Sequence, residues 1–139
     1  MQTTRIHEWQ IALEALLKTR WSAPFTWGQQ DCCLFAADCV LAVTGSDPAE
    51  DVRGAYSTEA GAARLLRQHG GAAKLAEERL GEEIAPLFMQ VGDVALVHVA
   101  ERDMLAVCFG PHLLAPGPDG LVYVPLDHAL RAWRCTRAE

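Results

Sequence analysis

The stretch Phe25-Thr26-Trp27-Gly28-Gln29-Gln30-Asp31-Cys32-Cys33-Leu34-Phe35 constrains this chain more than any other. A turn containing Trp-Gly runs into Asp-Cys, and Asp-Cys opens a strongly apolar segment. Asp31 has the residue type and place of a helix N-cap, with Cys32 as the first helical residue. A thiol there lies over unpaired backbone N–H groups, at the positive end of the helix dipole. Both stabilise the thiolate, which is the nucleophilic form. Such a placement suits a cysteine hydrolase, provided a base stands opposite.

The length, 139 residues, suits one domain spanning 1–139 with a single core. Hydrophobic residues make up 50% and charged residues 22%, an ordinary globular balance that excludes a disordered chain. A formal net charge of −6 argues against nucleic acid as a partner, because phosphate-backbone binders carry basic patches. No run of about 18 apolar residues is present to span a bilayer, and residues 1–8 lack the apolar core of a signal peptide. The expectation is a chain made in the cytoplasm. The cysteines at 32, 33, 39, 108 and 135 form no CxxC pair, so neither a zinc site nor a disulfide framework is expected. Cys33, Cys39, Cys108 and Cys135 read as small buried hydrophobes. No cofactor is implied.

Residues 5–20 carry Ile6, Trp9, Leu13, Leu16 and Leu17 at helical spacing, which predicts an amphipathic helix ended by Trp21-Ser22-Ala23-Pro24. A second helix, from Asp31 to about Thr44, is apolar nearly all round and so central and buried; Gly45-Ser46-Asp47-Pro48 stops it. Ser57 or Thr58 caps a helix through about Gln68, Gly70-Gly71 breaks it, and a third amphipathic piece runs from Ala72 to Leu80.

Beyond Pro86 the pattern becomes β-rich. Strands are expected over 94–100, 104–110, 112–115 and 120–124, with turns at 101–103 and 116–119. Asp127 is placed to cap a short last helix, and Trp133-Arg134-Cys135 to close the sheet as an edge strand. Helices first and an antiparallel meander after make an α+β domain.

A cysteine on a central helix followed by Gly92-Asp93-Val94 and a meander, together with Phe25-x-Trp27-Gly28-x-x-Asp31-Cys32, resembles the NlpC/P60 branch of the papain-like cysteine peptidases. The chain is more similar still to a small phage- and prophage-encoded subgroup. Its marks here are the Thr-Gly-x-Asp-Pro loop from Thr44 to Pro48, Arg-Gly-x-Tyr from Arg53 to Tyr56, Gly120 to Val122, and Ala132 to Arg134. The resemblance spans about residues 20–135.

NlpC/P60 enzymes cleave peptide bonds in peptidoglycan stem peptides, and in phage tails such domains serve as cell-wall hydrolases or as parts of the tail tip. Their cysteine attacks an amide carbonyl, a histidine deprotonates it, and a third polar residue holds the histidine. Carried over residue by residue, Cys32 takes the nucleophile position. The histidine position opens the strand Met104-Leu105-Ala106-Val107-Cys108-Phe109-Gly110 and is occupied by Met104; the third position falls near Leu114. Neither side chain can move a proton.

A three-residue turn at 101–103 would put His98, Met104 and Ala106 on one face. His98 then reads either as a histidine satisfied in or beside the sheet or as a substitute base. His112 is expected in an exposed turn. Asp31 reads as a cap, Asp38 as a buried acid paired with Arg53, and Asp93 as a turn residue.

The resemblance therefore implies a degenerate peptidase frame retained in a phage or phage-like tail. It would be made in the bacterial cytoplasm without a signal peptide, incorporated in the virion tail, and bound to other tail proteins at the tail-tip hub. Trp9, Trp21 or Trp133 are the candidate contact residues. The alternative is an active cysteine peptidase or amidase acting on peptidoglycan through Cys32, with His98 as base.

Overall fold

The Asp31 carboxylate accepts the Leu34 N–H at 2.9 Å, and α2 (Cys32–Thr44) starts on that cap. In the computed structural model, which describes residues 3–138, α2 ends where Gly45 turns into the left-handed region at φ 78° and donates to Leu41 O at 2.8 Å. Left-handed backbone suits glycine, which has no Cβ to clash. Phe35, Cys39 and Val43 are fully buried, so α2 is the central helix its composition requires.

Three further helices surround it. The first, α1 (Trp9–Arg20), starts later than the spacing from Ile6 predicts. Ile6 N–H bonds Val43 O at 2.8 Å, and Arg5 is drawn away toward the sheet, so residues 5–8 are extended or turned rather than helical. Next, α3 (Glu59–Gln68) is capped by Thr58, whose Oγ1 accepts from Gly61 N at 3.1 Å. The last, α4 (Ala72–Arg79), follows the Gly70-Gly71 break.

The strands are β1 (Thr3–Thr4), β2 (Glu83–Ile84), β3 (Val94–Val99), β4 (Arg102–Phe109), β5 (His112–Gly117), β6 (Gly120–Pro125), β7 (Ala129–Trp133) and β8 (Arg137–Ala138). Strands β1 and β8 pair with each other. The other six form one antiparallel sheet in the order β2-β7-β3-β4-β5-β6. The expected α+β architecture is thus observed, with two corrections. The strand at Trp133 is not an edge: β7 lies between β2 and β3, because the short run Glu83–Ile84 pairs along its outer side. Leu126–His128 is a 3₁₀ turn with Asp127 inside it and no side-chain cap.

Register decides which side chains meet the helices. The β3–β4 turn is two residues, Ala100-Glu101, both left-handed at φ 52° and 64°. Val97 therefore faces Met104, and His98 faces Asp103. This corrects the expected face: Met104 and Ala106 lie with Val97 and Ala95 on one side, while His98 lies with Asp103, Leu96 and Leu105 on the other.

Leu96, Leu105, Val107 and Leu114 pack with α1, α2 and α4 in the main core. On the opposite face Ala95, Val97, Ala106, Leu113 and Ala115 are also fully buried. The members of that cluster come from strands β3 to β7 and the segment before β3. At the sheet margin, Leu121 N–H bonds Trp21 O at 3.0 Å and Phe25 N–H bonds Gly117 O at 2.9 Å, laying residues 21–25 across β6 and the end of β5.

Candidate functional site

Gly28 and Tyr56 build the floor under Cys32. Asp31, 2% exposed, is satisfied on both oxygens: Oδ1 takes Leu34 N–H, while Oδ2 takes Gly28 N–H at 2.9 Å and the Tyr56 hydroxyl at 2.6 Å. Gly28 is at φ +81°, and a Cβ there would run into the Tyr56 carbonyl oxygen. The Trp-Gly-x-x-Asp-Cys spacing thus closes a tight turn whose N–H points back at the cap. Burial, then the adjacent Asp31 carboxylate, raise the Tyr56 hydroxyl pKa, so the phenol remains a donor.

The Cys32 sulfur sits at the first turn of α2. The neighbouring Cys33 thiol, by hydrogen bonding, holds its pKa below the ordinary value; the Leu105 backbone and the Arg102 charge act the same way, against burial and Asp31. The proton is correspondingly retained by Cys33, whose pKa is pushed well above normal by that bond and by burial. The pair thus divides its roles, with Cys33 as the donor and Cys32 as the acceptor whose thiolate form is favoured. Cys39, Cys108 and Cys135 are buried hydrophobes, as their composition suggests, whereas Cys33 belongs to the site.

A cavity of about 720 Å³ opens beside Cys32, walled by α2, α3, α4, residues 48–56 and the β3–β4 hairpin. At the hairpin, His98 Nδ1 donates to Asp103 Oδ1 at 2.8 Å, with both side chains 53% exposed. That bond leaves Nε2 without a hydrogen-bond partner among the described residues. Arg102 lies 5.4 Å from the Trp27 ring centroid and 3.5 Å from a Glu59 carboxylate oxygen, bridging the hairpin to the Trp-Gly turn and to α3. Trp27 is braced edge-on by Phe25 at 4.7 Å between centroids.

Cys32, His98 and Met104 all border this cavity, but they do not form one constellation. Met104 belongs to the opposite face of the sheet, packed with the Ala95 cluster. Leu114 is buried in the main core beside Val107. No hydrogen bond joins the His98 ring to the Cys32 thiol among the described residues; the ring bonds Asp103 instead. The strand position the thiol meets is Leu105. His112, expected in a turn, opens β5 and packs on Tyr123 at 4.6 Å between ring centroids; it does not line the cavity.

The acids resolve as structural. Asp38 pairs with Arg53 at 2.7 Å, as its sequence position suggests, and also with Arg20 at 2.6 Å. Asp93 is completely buried and does far more than shape a turn. It accepts from Gln90 N, Cys135 N, Arg5 and Arg134, all at 2.8–2.9 Å. Tyr56, Arg102 and Asp103 escape sequence reasoning as site residues. Asp103 meets His98 only because the hairpin turn is two residues long. Among the described residues, no group of three or more His, Cys, Asp or Glu side chains could hold a metal ion.

Residues 4–135 match the family model of a domain of unknown function, DUF6950, and the chain belongs to that family. No curated protein and no solved structure matches the chain.

Proposed function

We propose that this DUF6950 member is a component of a phage or phage-like tail, built on a degenerate NlpC/P60-type papain-like cysteine peptidase frame and acting mainly through contacts with other tail proteins. The observation that carries the reading is the surroundings of Cys32. The helix end, the cap and the lowered thiol pKa of a nucleophile are present, while the strand residue the thiol meets, Leu105, has no proton-transfer group and Leu114 is buried in the core. Loss of a general base typically costs about two to four orders of magnitude in rate. A frame that keeps the thiol and lacks the base fits binding better than turnover.

The contact residues differ from those suggested by tryptophan content. Trp133 is buried at 1% exposure and Trp9 lies under Arg5, 4.2 Å from its guanidinium carbon, so only Trp21 of the three is exposed. Leu87 at 89% and Phe88 at 65%, on the 3₁₀ turn Pro86–Phe88, are the more prominent apolar side chains. Among the described residues, no helix is long and apolar enough to cross a membrane.

The test is mass spectrometry of purified particles from a host carrying the gene, with a Leu87→Asp/Phe88→Asp variant in parallel. Wild-type chain in the tail fraction and its loss in the variant are expected. Absence of the wild-type chain from purified tails would overturn the proposal.

One observation favours a second reading, an active peptidoglycan amidase or endopeptidase. His98, oriented by Asp103, shares a cavity with Cys32, the base-and-orienter arrangement of cysteine hydrolases. Purified peptidoglycan treated with wild type and with Cys32→Ala separates the two. Cys32-dependent release of fragments establishes the hydrolase; equal background release removes it.

A further inference from the structure

The cavity beside Cys32 is a built space with an unusual lining. At about 720 Å³ it lies within the roughly 300–1,000 Å³ range of small-molecule sites. Its inner wall is Ala36, Ala62, Leu66, Leu75, Ala76 and Leu80, small or aliphatic side chains from three helices. The charged groups that border it are engaged with one another or with neighbours. Asp31 is held by Tyr56, Arg79 by Asp51, Asp103 by His98 and Arg102 by Glu59, while Arg67 and Glu101 stand exposed at the surface.

A ligand with several carboxylates or amines would lose hydration here and find no buried counter-charge, a costly exchange. A flexible hydrocarbon has nothing to lose and can follow a wall made of alanines and leucines. A single polar head could remain at the mouth, where Cys32, Trp27 and Arg102 meet solvent.

We propose that this cavity binds a linear fatty carboxylate, its hydrocarbon chain among the alanines and leucines of α2, α3 and α4 and its head beside Cys32 and Arg102. The proposal rests on the reading of the cleft as a binding site without turnover. It adds the class of ligand. Chain length is the discriminating variable, because each methylene buried contributes a near-constant increment, about three- to fourfold in affinity, until the space is full.

The full chain is titrated with dansyl-undecanoic acid, and the probe is displaced with octanoic, decanoic and dodecanoic acids below their micellar concentrations. Saturable displacement is expected, tightening at each step, with dodecanoate slowing alkylation of Cys32 by iodoacetamide. Ala63→Phe, at a half-buried position of the wall, is expected to weaken binding at least tenfold, with unchanged circular dichroism. Absence of saturable binding, affinity independent of chain length, or alkylation of Cys32 unaffected by dodecanoate would each overturn the proposal. All three use wild-type protein alone, so they stand even if the variant misfolds. Cys32-dependent peptidoglycan cleavage would remove the binding-only reading while leaving the displacement result unaltered, so the two ideas fail separately.

Discussion

The Tyr56 hydroxyl donates to Asp31 Oδ2 at 2.6 Å, tying the loop after α2 back to the cap on which α2 begins. The cap beneath Cys32 therefore depends on a residue 25 places from Asp31 in the chain. Asp31→Ala removes the cap acceptor together with the partner of Tyr56. A cap of this kind is worth about 0.5–2 kcal/mol, and the orphaned buried donors add to it. The variant should lose about 3 kcal/mol in urea unfolding, Tyr56→Phe about 1 kcal/mol, and the double mutant less than the sum.

Cys32 should be the first thiol to react with iodoacetamide as pH rises. Cys33→Ala removes the hydrogen bond that most lowers the Cys32 pKa, so the onset of alkylation should move to higher pH. Cys33→Ser, which restores a donor, should move it part of the way back. Peptide mapping after partial alkylation reads the order. Equal onset in wild type and Cys33→Ala would show that the vicinal thiol has no such effect.

Acid and alkali should each unfold the protein through identifiable groups. Arg53, Arg79 and Arg131 hold the pKa values of Asp47, Asp51 and Glu83 respectively below their ordinary values. A depressed carboxylate pKa gives stability that is complete above the unfolded-state value, about 4, and is lost as pH falls through the folded one. Arg53→Ala should flatten that acid limb in a pH series of urea midpoints. On the other side, burial pushes the Cys135 thiol up to about 12 and raises Cys39 as well. Groups raised in the folded state stabilise it below the unfolded value, about 8.5, and the contribution fades as pH climbs toward the folded one. Cys135→Ala should reduce the alkaline loss.

Asp93→Ala should be more damaging than any surface change. It strands Arg5 and Arg134 and leaves two backbone N–H groups without acceptors. Breaking a buried pair by removing one partner costs about 3–5 kcal/mol, and a urea midpoint measurement should find a loss of that order. Arg5→Ala, which leaves Arg134 in place, should cost clearly less.

The Ala100-Glu101 turn offers a gain. Both residues are left-handed, the conformation a two-residue hairpin of this twist requires and one that Asn-Gly adopts far more readily. Replacing the pair by Asn-Gly should stabilise the fold by about 1 kcal/mol, read as a higher urea midpoint. An unchanged or lower midpoint would mean that Ala100 or Glu101 contributes contacts beyond the turn.

That turn is also where reading the sequence fell short. Helix ends were legible because capping is local: Asp31, Gly45, Thr58 and Gly70-Gly71 sit at or next to the boundaries they mark. The hairpin carries no Asn or Gly to announce two left-handed residues. The turn lies at 100–101 instead of the expected 101–103, which moves the partner of His98 three places, from Ala106 to Asp103, and an odd shift exchanges the two faces of a strand. With it went Met104's direction and the His98–Asp103 pair. The Cys32 cap was readable within four residues. The partners that complete the site, Tyr56 and Arg102, come from segments whose approach depends on tertiary packing. Asp93 looked like a turn because its nearest bond, from Gln90 N, is one; the arginines that reach it come from both ends of the described chain.

The strap of residues 21–25 has a bearing on how this molecule meets others. Alternation along β6 sends the backbone amides of Leu121, Tyr123 and Pro125 outward. Leu121 is already bonded to Trp21, and proline has no amide hydrogen to offer, which leaves the Tyr123 N–H as the outward donor. A margin so depleted makes a poor template for another chain's strand. Strand-to-strand addition along this side is thereby disfavoured, which leaves side chains as the means of contact there.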